Sequence, residues 1–226
     1  LLPFIYFKVP ESPVWLASKA RAESHALLPV IKQNAKLCCY LVLLMACFNF
    51  FSHGTQDLYP TFLKVQHQFD AHTVSIIAIC YNIAAMLGGV CFGLLSERIG
   101  RKKAIMLASA LALPVLPLWA FSSGSWMIGL GAFLMQFMVQ GAWGVIPTWL
   151  TELVPSTARS VLPGFVYQLG NLIASVNATL QSKIAATHGG NYGLSMAIVA
   201  GTVAVLICLL TAFGRETRGI KISGED

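Results

Sequence analysis

The chain has 226 residues, of which 56% are hydrophobic and 11% are charged, and its mean hydropathy is +0.70. Soluble domains carry about 25% charged residues, so this composition indicates a membrane protein. The formal net charge is +6, and the basic residues stand between apolar runs rather than in one patch. We therefore expect no nucleic-acid partner and attribute the charge to membrane topology.

The predicted organisation has four parts. Residues 1–8 are apolar but too short to cross a bilayer, and we interpret them as the end of a preceding transmembrane helix. The polar, proline-containing segment 9–36 is predicted to be a cytoplasmic interdomain loop. Residues 37–213 are predicted to form a six-helix transmembrane bundle, and residues 214–226 a cytoplasmic tail.

Six long apolar runs define the bundle. A helix needs about 20 apolar residues to cross about 30 Å of hydrocarbon, and each run meets that length. The sequence therefore predicts an all-α, polytopic membrane protein. The runs are Leu37–Leu63, Thr73–Leu95, Ala104–Phe121, Trp126–Leu150, Leu162–Ile184 and Tyr192–Phe213.

The basic residues predict the orientation of these spans. All of the 15 Lys and Arg residues except Lys64 and Lys183 fall on one side of the predicted membrane. Because positive loops favour the cytoplasm, the loops with Arg98 and Arg159 and both ends of the chain are predicted to be cytoplasmic. The expected location is a bacterial inner membrane or a plasma membrane.

The first run carries a ladder of polar residues. Asn49, His53, Asp57 and Thr61 are four apart, which places them roughly along one helix face. Hydrocarbon penalises such groups, so we predict that they line a solute and proton pathway. The alternative is that His53 is a neutral hydrogen-bonding group between helices and that Asp57 is a hydrated acid at the outer mouth that orients it.

The fifth run carries a second stripe of polar and small residues at helical spacing. The stripe is predicted to contact the solute, and the alternative is hydrogen bonding between helices. Trp143, in the fourth run, fits either packing or pore lining. The stripe consists of Gly164, Gln168, Asn171 and Ser175, and Asn177 and Gln181 lie off it toward the outer end.

The sequence contains no pattern that calls for a cofactor or a catalytic centre. The six cysteines fall inside predicted spans and lack metal-ligand spacing. No nucleophile–base pair is evident. We therefore expect neither a metal nor a cofactor, and we do not expect an enzyme.

The loop after the second run places a glycine, an acidic–arginine pair and a Gly-Arg-Lys sequence in order. The residues are Gly93, Glu97, Arg98, Gly100, Arg101 and Lys102. This loop resembles the signature cytoplasmic loop of the major facilitator superfamily, which implies a twelve-helix carrier of which this chain is the C-terminal half, with a substrate site between the halves. We expect Gly93 to permit close helix approach and the charges to latch helix ends in one state; the alternative is that they only set topology.

The first ladder resembles a pattern of the Jen-type lactate/pyruvate:proton symporters, which are grouped with the sialate:proton symporters. A second match, Tyr167–Asn171, contains the glutamine and asparagine that this family uses in substrate handling. The resemblance covers the whole chain. The residues that match the first pattern are Asn49, Ser52, His53, Thr55, Gln56, Asp57 and Thr61.

The resemblance implies proton-coupled symport of short monocarboxylates such as lactate or pyruvate by alternating access. The expected partners are the monocarboxylate, the proton, the lipid bilayer and the missing N-terminal six-helix half. No Lys or Arg lies deep in a span, so the charge that stabilises the carboxylate is either protonated His53 or, as we favour, a cation of the missing half. Alternatives are a sialate or other organic-acid symporter and a transporter-like solute sensor.

Overall fold

The computed structural model describes residues 31–155, 158–159 and 161–219, and within that part of the chain it contains helices and no strand. From Lys36 onward these residues form one compact unit. The all-α fold class is therefore confirmed. The predicted helix end 1–8 and residues 220–226 of the predicted tail lie outside the described residues, as does most of the predicted loop 9–36.

Seven helices of eight or more residues follow one another in the described ranges. They are α1 (Ala35–Gln56), α2 (Ala71–Ile99), α3 (Arg101–Phe121), α4 (Ser125–Leu153), α5 (Leu162–Ala174), α6 (Asn177–Thr187) and α7 (Tyr192–Phe213). A single turn, Tyr59–Thr61, and a π-helical segment, Phe62–Gln66, extend α1.

Five stretches of the described chain are long and apolar enough to cross a membrane. They correspond to five of the six predicted spans, and the run that begins with α1 is the longest at 32 residues. The five stretches are Ala35–Gln66, Ala71–Ile99, Arg101–Phe121, Ser125–Leu153 and Tyr192–Phe213.

The remaining predicted span, Leu162–Ile184, is a discontinuous helix. The helical pattern lapses at Ser175, whose backbone N–H bonds three residues back to the Leu172 carbonyl (3.3 Å) and whose hydroxyl donates to the same oxygen (2.7 Å). Such local hydrogen bonds compete with helix propagation. A new helix, α6, then starts with the bond from Leu180 N–H to the Val176 carbonyl (2.9 Å).

Helices α2 and α4 pack backbone against backbone through glycines. A β-carbon at Gly88 would overlap the Phe137 carbonyl, and one at Gly144 would overlap the backbone of Gly89. Small residues allow this approach in membranes, where packing rather than the hydrophobic effect holds helices together. The sequence predicted such a role for Gly93, but a β-carbon there would make only an ordinary contact, 3.8 Å from the Gly144 carbonyl.

Two ends of the bundle differ in charge. The start of α3, the end of α4 and the segment after α7 meet at one end, where Arg101 contacts both Glu152 and Glu216. The start of α1 belongs to the same end, because the Tyr40 hydroxyl donates to the carbonyl of Leu210 in α7 (3.0 Å). We call it the basic end.

Candidate functional site

One open cavity of about 520 Å³ lies between α1 and α5. Its polar lining comes from two positions of the first ladder and three of the second stripe, so the structure brings together residues more than 100 positions apart in sequence. Leu172 and Ala174 complete the lining. The polar residues are His53, Asp57, Gln168, Asn171 and Ser175.

His53 and Asp57 form the ionisable part of this cavity. His53 lies in the last turn of α1 and Asp57 directly follows that helix, and His53 Nδ1 is 3.3 Å from Asp57 Oδ1. Their side chains remain 43% and 41% exposed, respectively. An ion pair so open to its surroundings contributes little stability. Both groups therefore stay accessible to a proton or a solute.

The opposite wall carries the amides of α5. Gln168, Asn171 and Ser175 occur at spacings of three and four, which gives them one helix face. At the break, the Ser175 hydroxyl is committed to the Leu172 carbonyl, so the wall presents the two amides to the cavity. A β-carbon added at Gly164 would meet no described atom within 4 Å, so this face stays open there.

The remaining members of the first ladder do not reach the cavity lining. Asn49 is 1% exposed, and its Nδ2 donates to the Met45 carbonyl of its own helix (2.9 Å). Thr61 lies in the turn beyond α1. Four residues advance an α-helix by about 400°, so each step of the ladder drifts by about 40°. Three steps separate Asn49 from Thr61, and they therefore face different directions.

Gln56 turns toward α4 rather than α5. Its Nε2 donates to Gln136 Oε1 at 3.0 Å and to Ser52 Oγ at 3.3 Å. The Nε2 of Gln140, also on α4, donates to Ser52 Oγ at 3.1 Å. Gln136 and Gln140 were not among the predicted site residues, although two amides four residues apart in an apolar run are a visible signal.

Trp143 packs between both walls of the cavity. Its Nε1 donates to the Phe48 carbonyl of α1 (3.2 Å), and its ring meets those of Phe48 and Tyr167 edge to face, with centroids 5.8 and 5.9 Å apart. The choice that the sequence left open is therefore resolved as interhelical packing, next to the cavity residue Gln168.

Asn177 and Gln181 lie behind the His53–Asp57 pair, on the buried side of α6. Gln181 Nε2 donates to the Gly54 carbonyl (2.8 Å), and a β-carbon at Gly54 would lie 3.2 Å from that nitrogen. Asn177 is 1% exposed, and among the described residues neither of its amide atoms has a hydrogen-bond partner, nor does Gln181 Oε1.

At the basic end, Arg101 ties three elements together. Its guanidinium donates to Glu97 Oε1 (2.6 Å), to Ser96 Oγ (2.7 Å) and to both carboxylate oxygens of Glu152 (3.1 and 3.3 Å). Arg101 is 6% exposed and Glu152 is 8% exposed. Such a fully paired, buried arginine fixes the positions of the helix ends that it joins, because removing one partner leaves an uncompensated buried charge.

Glu216 adds the segment after α7 to this cluster. Burial alone would raise the pKa of the Glu216 carboxyl, but four backbone N–H groups donate to it and together lower that pKa. Lys102 Nζ donates to the Ala212 carbonyl near the end of α7 (2.8 Å). Gly100 adopts φ 101°, as the turn into α3 requires, and Arg98 stays exposed. The four donors are Arg101, Lys102, Thr217 and Arg218.

The described residues include no group of three or more His, Cys, Asp or Glu side chains placed to hold a metal ion.

Fold and cavity together define a helical membrane protein with a polar, ionisable cleft. Residues 41–225 match the Major Facilitator Superfamily. The chain belongs to this family and is a multi-pass membrane protein.

The chain is also similar to several transporters. It is 33% identical to a carboxylic acid transporter protein homolog of Saccharomyces cerevisiae over 77% of this chain and 28% of that protein. It is 26% identical to the sialic acid transporter NanX of Escherichia coli (99% and 55%) and 22% identical to a cis,cis-muconate transport protein of Acinetobacter baylyi (90% and 51%). The chain thus spans about half or less of these relatives.

Proposed function

We propose that the chain is the C-terminal half of a proton-coupled carrier of short monocarboxylates such as lactate or pyruvate. The observation that carries this proposal is the cavity in which His53 and Asp57 face the amides Gln168 and Asn171. The names of the similar proteins, a carboxylic acid, a sialic acid and a muconate transporter, support organic acids as substrates.

In this proposal the two walls divide the chemistry. An imidazole changes charge between about pH 5 and pH 8, so His53 can carry the coupled proton and pass it to Asp57. From α5, Gln168 and Asn171 donate hydrogen bonds to the substrate carboxylate and carry no charge of their own. The cavity lining, as far as the described residues form it, contains no Lys or Arg. The stabilising cation is therefore assigned to the N-terminal half, or else to protonated His53.

Alternating access then requires that the basic end open and close. The Arg101 cluster joins the α2–α3 turn, α4 and the segment after α7, and we propose that it latches them in the conformation described here. Breaking it would expose charges that are buried in this conformation, which supports a latch over a topology signal alone.

The deciding experiment uses the intact carrier, meaning this chain together with its N-terminal half, in sealed vesicles. Lactate entry should be accompanied by proton uptake and accelerated by an acidic exterior. Saturable lactate binding without entry would support a sensor instead. Proton-coupled entry of sialate or another organic acid but not lactate would favour the alternative carrier. The specific support for that alternative is the similarity to the sialic acid transporter, which extends over 99% of this chain. Entry of lactate without protons would overturn symport.

A further inference from the structure

Helix α4 holds the polar face of α1 that points away from the cavity. Gln136 is 2% exposed and uses both ends of its amide across the interface. Its Oε1 accepts from Gln56 Nε2 (3.0 Å), and its Nε2 donates to Thr55 Oγ1 (3.0 Å). One turn along α4, Gln140 Nε2 donates to Ser52 Oγ (3.1 Å). These bonds fix the rotation of α1 about its own axis.

Trp143 adds a third level on the same side of α4. Its indole N–H reaches the Phe48 carbonyl of α1, and its ring edge meets Tyr167 of α5. Tyr167 precedes Gln168, a lining residue of the opposite wall. One α4 side chain therefore contacts both helices that bound the cavity, and its contacts set their separation.

The polar residues of α1 accordingly serve two faces. Consecutive residues of a helix are about 100° apart, so Ser52 and Gln56 face α4 while their neighbours His53 and Asp57 face α5. A rotation of α1 about its own axis by one residue, or about 100°, would carry His53 out of the cavity. A single hydrogen bond between membrane helices contributes only about 0.6 kcal/mol on average, so several levels are needed to hold that angle.

We propose that Gln136, Gln140 and Trp143, here called the α4 clamp, are positioning residues that hold His53 and Asp57 against the amide wall of α5. The inference rests on the proposed function of that cavity as the substrate and proton site. The clamp touches neither substrate nor proton; it acts through the orientation of α1 and through the spacing between α1 and α5.

The test measures the cavity itself, in the intact carrier with its native cysteines replaced. Cysteines at Asp57 and Leu172, one on each wall, are joined by a short bifunctional maleimide, and the cross-linking rate is compared with and without Gln136→Leu, Gln140→Leu or Trp143→Phe. Each clamp variant should change the cross-linking rate by about threefold or more, because the loss of one such bond changes the population of the clamped orientation by about that factor. Thr151→Ala is the control, because within the described part of the chain that α4 hydroxyl bonds only to carbonyls of its own helix.

A second arm uses transport with His53 and Asp57 intact. Ser52→Ala and Gln140→Leu remove the two partners of one bond, so the double variant should be no worse than the poorer single variant in lactate uptake at matched abundance. Ser52→Thr keeps the hydroxyl and should retain uptake. The expected defect is a raised apparent KM with abundance unchanged.

The outcomes separate this inference from the proposed function. Cross-linking rates equal to those of Thr151→Ala, or additive effects of Ser52→Ala and Gln140→Leu, would overturn the clamp. If the parent carrier moves no organic acid, the proposed function fails, while the cross-linking rates still decide whether α4 sets the geometry of the cavity. Trp143→Phe removes the N–H donor and part of the ring but keeps an aromatic side chain at the interface, so it keeps the test usable if a leucine variant fails to fold.

Discussion

The charge that Asp57 carries is the residue-scale feature with the most direct consequence. Asp57→Asn keeps the size and much of the hydrogen bonding of the side chain, so the bundle should assemble. If Asp57 couples the proton, accumulation of lactate against its gradient should collapse, while exchange of lactate across the membrane partly persists. Accumulation by Asp57→Asn as steep as in the parent would make Asp57 a structural acid.

His53→Gln should flatten the pH dependence of uptake, because an amide does not titrate near neutral pH.

Asn177 and Gln181 make a matched pair of buried amides with opposite expectations. Gln181 Nε2 bonds to the Gly54 carbonyl, whereas neither amide atom of Asn177 has a partner among the described residues. Removing a bonded group costs about 1 kcal/mol, whereas removing an unpaired buried polar group costs nothing or stabilises. Alanine is also the better helix former. Thermal unfolding in detergent should therefore show Gln181→Ala below the parent and Asn177→Ala at or above it.

Equal destabilisation by the two substitutions would contradict this expectation. It would mean that Asn177 has a partner, with a bound water as the simplest case. The comparison is fair because both side chains lie on the same buried face of α6, one turn apart, and are 1% and 0% exposed.

Among the elements, the long spans could be predicted from sequence and the break in the fifth run could not. An uninterrupted apolar run of about 20 residues has few alternatives to a membrane helix, which is why five spans agree with the prediction. At the break, the Ser175 hydroxyl bonds to the Leu172 carbonyl. Serines inside membrane helices often bond this way without ending the helix, so local sequence does not decide it.

The polar residues of the cavity could be predicted from the sequence, but the direction in which each of them faces could not. Polar residues in hydrocarbon must face protein or water, which indicated His53, Asp57, Gln168 and Asn171. The fourfold spacing did not show that Gln56 turns away from them, because the direction of each residue depends on which helix packs where. Partners on α4, such as Gln136, become visible only when that packing is known.

The contact between Glu216 and the start of α3 predicts a pH dependence at the element scale. The four N–H donors lower the pKa of the Glu216 carboxyl in the folded state, so the contribution of Glu216 to stability is complete above the ordinary glutamic acid value of 4.5. The contribution is lost as the pH falls from there through the lowered value. The difference in thermal stability between the parent and Glu216→Gln should therefore be largest near neutral pH and vanish in acid. A difference that persists at low pH would show that the charge is not its source.

Orientation is a property of the whole molecule and has its own test. If the basic end is cytoplasmic, a cysteine placed in the Gly189–Gly190 turn should react with a membrane-impermeant reagent in intact cells, and one beside Lys102 should not. Both glycines have positive φ (67° and 82°), which strains a cysteine there, but a β-carbon added at either would meet no described atom within 4 Å, so the turn has room for the reagent. The reverse labelling pattern would invert the bundle and the assignment of the latch.

The cavity is an open cleft between two walls. Its lining residues come from the end of α1, from α5 and from the break that follows α5. Beside the polar lining, the outward faces of α5 and of the break present Leu172 (69% exposed), Ile173 (48%) and Val176 (56%). A substrate in such a cleft would lie between the two walls but stay exposed at the opening, without the enclosure that alternating access requires.

If the chain is the C-terminal half of a carrier, as proposed, transport by this chain alone is not expected. Reconstituted alone in liposomes, residues 1–226 should insert but show no lactate uptake above that of Asp57→Asn. Co-expression with the N-terminal half of the intact carrier should restore uptake at matched abundance of this chain, because the second half would close the open side of the cleft. Robust, saturable uptake by the isolated chain would instead place a complete site within these helices, or between two copies of them.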